Sequence, residues 1–238
     1  MMGSLSLRAV SRRFRTDPGV QDLTLTVGSG EVVALVGLNG AGKTTLLKLA
    51  LGMLRPDSGT VEIGGVPVER LAAAAWRDVG HLVDGPALYG ELTVRQNLLL
   101  AARMRGVAAS VVESSIADLV LERFADRRAS QLSLGNGQRA ALAMALQHGP
   151  GVLVLDEPGN ALDPSGILLL RDRIVERKAE GAAVLVSSHH LDEVARIADR
   201  IVVMNRGRLI GELEPGSGDL ERALFDRVRR DDIALGAS

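Results

Sequence analysis

The sequence predicts an α/β fold in which a mostly parallel sheet is joined by an antiparallel side sheet and interrupted by a helical block. Three observations carry that expectation. Short apolar runs alternate with longer stretches of helical periodicity, the pattern of strands paired in parallel through crossover helices. Several of those runs are apolar without interruption, as strands covered on both faces are. Between about Leu92 and His148 the strand signal fades and only helical periodicity remains.

Taken in order, Leu5–Val10 and Leu23–Val27 alternate apolar and polar residues, which suits half-buried antiparallel strands. Glu31–Val36, bounded by Gly30 and Gly37, reads as a strand buried on both sides. Val61–Ile63 and Val66–Val68 flank Gly64-Gly65, a strong hairpin signal. A strand is expected around Gly80–Val83, and buried runs recur at Val152–Leu155, Ala183–Ser187 and Ile201–Met204. In the helical block Thr93 and Ser110 are candidate N-caps, the latter with Glu113 at capping-box spacing, and Gly106 stands where a helix would end. From Asp219 onward the chain reads as a charged helix with a frayed end. The expected organisation is an α/β core over 1–218, a helical subdomain inserted in it at about 85–150, and a C-terminal charged helix and tail over 219–238.

Composition narrows the function classes. The 238 residues hold 28 Lys and Arg against 29 Asp and Glu, a balance unlike the basic surplus of a dedicated nucleic-acid binder. Only Lys43, Lys48 and Lys178 are lysines, a bias that reads as genome composition. Aromatic residues at 2% leave little material for stacking bases. With no cysteine, disulfides, thiolate metal sites and cysteine nucleophiles are excluded. The start of the chain is too short and charged for a signal peptide, and no run reaches the roughly 18 apolar residues of a membrane span. A soluble, cytoplasmic protein is the expectation.

Gly37-Leu38-Asn39-Gly40-Ala41-Gly42-Lys43-Thr44 matches G-x-x-x-x-G-K-[ST] between an apolar run and a helical pattern, the context this motif requires. Its glycines let the backbone curl until N–H groups converge on phosphates at the positive end of the next helix. Lys43 is placed to reach the β- and γ-phosphates, Thr44 to ligate Mg²⁺ through its hydroxyl, and Thr45 follows in the binding stretch. The run Val152–Leu155 ends in Asp156 and Glu157. A buried strand delivers Asp156 to the carboxyl edge of the sheet, where it can hold Mg²⁺ through water, and Glu157 can accept a proton from water attacking the γ-phosphate.

Together these segments resemble the nucleotide-binding subunit of an ATP-binding cassette (ABC) transporter, over roughly Leu5 to Leu213. The resemblance implies ATP and Mg²⁺ as ligands and a P-loop NTPase core. Leu132-Ser133-Leu134-Gly135-Asn136-Gly137-Gln138-Arg139 stands in the place of the family signature, LSGGQ. It implies that Ser133, Gly135 and Gln138 bind nucleotide held by another subunit. Leu134 replaces the first signature glycine, a variant that resembles drug- and antibiotic-export subunits. Asn160-Ala161-Leu162-Asp163 matches the family's D-loop and adds Asp163 to the binding set, although Asp163 before Pro164 also fits a plain N-cap. Ser187-Ser188-His189 ends a buried strand where the family places its switch histidine, with His190 the adjacent alternative. Phe14 stands where the family has an aromatic that stacks on adenine. One departure matters: Asp84 occupies the place of a glutamine that touches Mg²⁺, and a carboxylate there can still ligate the metal.

The resemblance further implies two cassettes facing head to tail, as a homodimer or pseudo-symmetric dimer, and a separate transmembrane permease subunit. It places the chain peripherally on the cytoplasmic face of a bacterial-type membrane, powering export, without nucleic acid. Two other readings remain open from the residues alone. A soluble ABC ATPase acting on ribosomes or DNA is weighed down by the single cassette and the lack of a coiled-coil insert. A regulatory cassette with weak hydrolysis has only Asp84 in its favour, against Glu157 and His189.

Overall fold

Five consecutive apolar residues form β3 (Val32–Val36), and all five are buried. Such a strand needs a cover on each face, and the chain supplies two. The computed structural model describes residues 3–15, 19–216 and 218–236. Before β3 come β1 (Leu5–Arg12) and β2 (Val20–Val27). After it follow α1 (Lys43–Ala50), β4 (Ser58–Ile63), β5 (Val66–Pro67), α2 (Ala73–Trp76) and β6 (Val79–Leu82). Three helices, α3 (Val94–Arg105), α4 (Val111–Asp118) and α5 (Leu134–Leu146), separate β6 from β7 (Val152–Asp156). The rest is α6 (Pro164–Ala179), β8 (Ala183–Ser187), α7 (Leu191–Val194), β9 (Arg200–Asn205), β10 (Arg208–Leu213) and α8 (Leu220–Ala234).

The larger sheet has the order β10-β9-β3-β8-β7-β6, parallel throughout except for β10 at one edge. The smaller sheet, β2-β1-β4-β5, is antiparallel. Strand alternation sorts the core into two layers. Val32, Ala34 and Val36 join Leu153, Leu155, Val184 and Val186 in a cluster shared with α3, α5 and α6. Val33 and Leu35 join Val152, Val154, Ala183 and Leu185 in a second cluster with α1 and the antiparallel sheet. β3 is therefore the middle of a sandwich, and the side chain that follows each strand is aimed before any contact is considered.

Sequence alternation did not reveal β10. It pairs with β9 across the left-handed residues Arg206 and Gly207, and its register shifts between Leu209 and Gly211, so the period of two is broken within six residues. Ser110 departs from its expected role. Its backbone is already helical, φ −62° and ψ −24°, and no side-chain bond caps α4; a turn begun at Ala108 leads into that helix instead. Thr93 does cap α3, its own N–H donating in return to Gln96 Oε1 at 2.9 Å, and Gly106 ends that helix in the left-handed region.

Two buried polar groups fasten the helical block. Asn97, fully buried, accepts from Tyr89 N–H at 2.8 Å and donates to the carbonyls of Tyr89, Leu92 and Thr93. It thus shapes the loop that holds Tyr89, 61% exposed, in solvent. At the far end of α3, Arg105 donates to Trp76 O at 2.8 Å and to Val79 O. Burial beside Arg105 pushes the pKa of His148 down to about 4, so it stays neutral. Among the described residues no helix is long and apolar enough to cross a membrane.

Candidate functional site

Strands β3, β7 and β8 run parallel and end side by side, so their following residues meet at one edge of the sheet. The loop after β3 is the glycine-rich one. A Cβ on Gly37 would stand 2.2 Å from Met204 O, and Gly42, at φ 102°, would meet Met204 Cε at 2.9 Å. Both positions therefore require glycine. Lys43 opens α1 and is buried, its Nζ donating to Gly37 O at 2.8 Å and lying 3.7 Å from Glu157 Oε1.

Alternation aims the acid of β7. Asp156 continues the Val152–Val154 face, which packs toward α1, and Ser187 continues the Ala183–Leu185 face on the same side. The two are register partners in the parallel pair β7–β8. Accordingly Ser187 Oγ donates to Asp156 Oδ1 at 2.6 Å, while Thr44 Oγ1 donates to Asp156 Oδ2 at 2.7 Å. Both carboxylate oxygens are thereby oriented. Ser187 is the residue that motif reading missed; its signal was the same two-residue alternation that placed the strand.

Glu157 follows with φ 47°, a left-handed conformation that costs a non-glycine residue about 1–2 kcal/mol. It is held there by its N–H, which reaches Ser187 Oγ at 2.9 Å and Ser187 O at 3.2 Å. Its Oε2 accepts from the backbone N–H of His189 at 3.1 Å and lies 2.6 Å from His189 Nδ1. His190 does not share that contact; its N–H donates to Ser188 Oγ, with its ring stacked at a tilt on that of His189. One carboxylate thus sits between an ammonium and an imidazole at the mouth of the phosphate loop. That arrangement can hold a water and take its proton.

The other expected residues fall in different places. Phe14 is 41% exposed, with the Arg12 guanidinium 5.4 Å from its ring centroid. It lies against Gly19, whose carbonyl in turn faces Gly42 of the phosphate loop. Asp84, left-handed at φ 64°, pairs with Lys48 Nζ at 2.7 Å, and Lys48 stands one helical turn beyond Thr44. Its carboxylate is therefore directed to α1 and not to the Thr44–Asp156 pair where metal ligation was expected.

The signature segment opens α5. Ser133 caps the helix, and Leu134 is 68% exposed. Gln138 is buried and donates to Pro158 O at 2.9 Å, so its amide braces the loop after β7 of its own chain. A Cβ on Gly135 would stand 2.6 Å from Ala161 O, which presses the helix start against the D-loop segment. Asp163 accepts from Gly166 N at 2.8 Å as the N-cap of α6 and pairs with Arg139. Among the described residues no hydrogen bond or ion pair joins Ser133–Gly137 to the phosphate loop.

With this geometry in hand, likeness to other proteins can be placed. Residues 20–160 match the family described as ABC transporter. Over 215 residues the chain is 39% identical to the Nod factor export ATP-binding protein I of Burkholderia lata, covering 89% of this chain and 71% of the relative. A solved ATP-binding subunit of an ABC transporter is similar with a TM-score of 0.82 and 31% identity, covering 98% of each chain. The dimeric structure of MJ0796, a bacterial ABC transporter cassette, is similar with a TM-score of 0.81 and 25% identity, over 90% of this chain and 100% of that one.

Proposed function

The chain belongs to the ABC transporter family of ATP-binding subunits, and from that premise we propose how its own residues bind ATP, hydrolyse it and pass the motion to a membrane partner. It is an ATP-hydrolysing subunit, and export is the direction we assign, in line with the relative named for Nod factor export. The observation that carries the residue roles is the contact chain Thr44–Asp156–Ser187–Glu157–His189 at the sheet edge.

In this reading the N–H groups of Gly37–Thr45 cradle the phosphates, Lys43 turns from Gly37 O to the β- and γ-phosphates, and Phe14 stacks on adenine. The Thr44 hydroxyl and Asp156 carboxylate, 2.7 Å apart, are hard oxygen donors of the kind Mg²⁺ takes, so these residues would hold it. When bound, Mg²⁺ neutralises charge building on the β- and γ-phosphate oxygens. Glu157 takes the proton of the attacking water, and His189 orients its carboxylate. Asp84, neutralised by Lys48, modulates this site from the position of the family glutamine.

Ser133 and Gly135 complete the site of a second copy, two chains facing head to tail. The loop bearing exposed Tyr89, within the block from Asp84 to Arg105, is the docking face for a separate transmembrane permease. The chain then works as a peripheral subunit on the cytoplasmic side of the membrane.

The test is Glu157→Gln with ATP and Mg²⁺. We expect ATP binding to persist, phosphate release to fall by about 10²–10⁴-fold, and a stable dimer to appear by light scattering. Turnover at the parent rate would remove Glu157 as the base.

A further inference from the structure

Two locally unfavourable choices meet between α8 and the turn that joins β9 to β10. Arg206 and Gly207 form that two-residue turn, flanked by the register partners Asn205 and Arg208. Both turn residues are left-handed, at φ 46° and φ 78°. Such a turn favours Asn, Asp or Gly at its first position, where this chain has arginine. Across from it, Asp231 and Asp232 stand in the last turn of α8, which holds no basic residue. The helix dipole opposes negative charge there.

Each choice answers the other. Asn205 is buried and donates through Nδ2 to Asp231 Oδ2 at 2.9 Å and to Asp232 Oδ1 at 3.1 Å. Arg208 pairs with Asp231 at 2.9 Å, and Arg206 with Asp232 at 3.0 Å. Helix α8 therefore grips the turn at Asn205, Arg206 and Arg208, and Arg206 keeps a conformation that its type disfavours.

On its other side the same turn carries the phosphate loop. Gly207 N–H donates to Ala41 O at 2.8 Å, and Gly207 O accepts from Gln21 N–H at 2.8 Å. Arg206 O accepts from Gln21 Nε2 at 2.9 Å. A Cβ at Gly207 would stand 2.1 Å from Gly19 O, and those that Gly37 and Gly42 lack would strike Met204, the residue before Asn205. The loop thus rests on this hairpin at Gly37, Ala41 and Gly42, and the segment against which Phe14 lies is tied to the same turn.

We propose that Asp231 and Asp232 are positioning residues for ATP binding: by holding the Arg206-Gly207 turn, α8 keeps the phosphate loop in its binding shape before nucleotide arrives. The inference rests on the phosphate-binding role of that loop proposed above. The acids act through Gly207 N–H on Ala41 O. The edge that bears Asp156, Glu157 and His189 follows β7 and β8, at least two strands from β9 in the sheet order. What the acids set is therefore affinity, with the chemical step left to that edge.

The test titrates the full chain with a fluorescent ATP analogue and measures phosphate release at saturating ATP. Asp231→Ala with Asp232→Ala should raise Kd about tenfold and leave turnover at saturation within about twofold of the parent. Adding Arg206→Asn, a residue type that such a turn favours, should bring Kd back to within about threefold, because the turn then holds itself. Val228→Ala removes packing from the buried face of α8 and is the structural reference: its urea midpoint should fall with Kd unchanged. Lys43→Ala separates this inference from the reading beneath it. Loss of binding in Lys43→Ala, with parent-like binding in the double alanine chain, overturns the role of α8 and leaves the phosphate loop its own. Parent-like binding in both overturns the two together. A turnover loss at saturation as large as the loss of affinity overturns the proposal, as does a Kd shift in Val228→Ala equal to that of the double alanine chain. So does a failure of Arg206→Asn to restore binding.

Discussion

The edge formed by β3, β7 and β8 and the helical block α3–α5 both carry family motifs, yet they are finished to different degrees. At the edge every acid has its partners: Asp156 is held by Thr44 and Ser187, Glu157 by Ser187 and His189. In the block the signature ends in open solvent at Leu134, and what is well satisfied there is scaffolding, namely Asn97, Arg105 and Gln138. On the head-to-tail reading, the contrast teaches that one chain encloses one part of a nucleotide site and holds the complementary part at arm's length.

Substitutions at matching points test that contrast most severely. Lys43→Ala should weaken ATP binding by an isolated chain about 10²-fold, the worth of charge-assisted bonds to phosphate. Ser133→Ala should leave that affinity unchanged and lower only the turnover of paired chains. Equal losses of single-chain affinity, read by titration with a fluorescent nucleotide, would break the comparison. A pH experiment addresses the seam between block and core, where Arg105, His81 and Arg177 face His148. The folded pKa of about 4 lies below the ordinary 6.5, so the unfolded chain binds a proton that the folded one does not between those values. Stability is therefore full above about pH 6.5 and falls as pH drops toward 4, by up to about 3 kcal/mol. Urea midpoints at pH 7 and 4.5 should converge for His148→Gln relative to the parent, with Mg²⁺-ATP affinity untouched at pH 7. The smallest effect is expected from Ser187→Ala. It removes one hydroxyl that orients both acids, worth about 1–2 kcal/mol, and turnover should fall about tenfold with nucleotide affinity little changed. Loss of binding as severe as in Lys43→Ala would assign Ser187 to the phosphate cradle.

How much of this was legible in the sequence depends on the range of the signal. The phosphate loop could be read because its glycines answer to a local need, the positive φ at Gly40 and Gly42. The uninterrupted runs of β3, β7 and β8 announced burial on two faces, and the two acids at the end of β7 announced the edge. Ser187 was hidden because alternation tells which face a residue takes but not which neighbour stands 31 positions away. Gln138 reads as a binding residue by motif, and only its burial against Pro158 gives it to the interior. The pairing of Asp84 with Lys48 depends on how α1 sits against the turn after β6, a tertiary fact with no local signature. β10 escaped because a register shift at Gly211 erases its period.

The Gln138 bond has a consequence for timing. It fixes the start of α5 to the turn that follows Asp156 and Glu157, and Gly135 against Ala161 adds a second point of attachment. A tilt at the start of α5 would pull on the loop that carries Glu157. Mechanically each chain is a lever: on the head-to-tail reading, one arm addresses its own nucleotide and the other addresses its neighbour's. The phase between the two sites of a pair is then set by a stiff strut inside each chain, and lengthening or softening that strut desynchronises them while each still binds ATP.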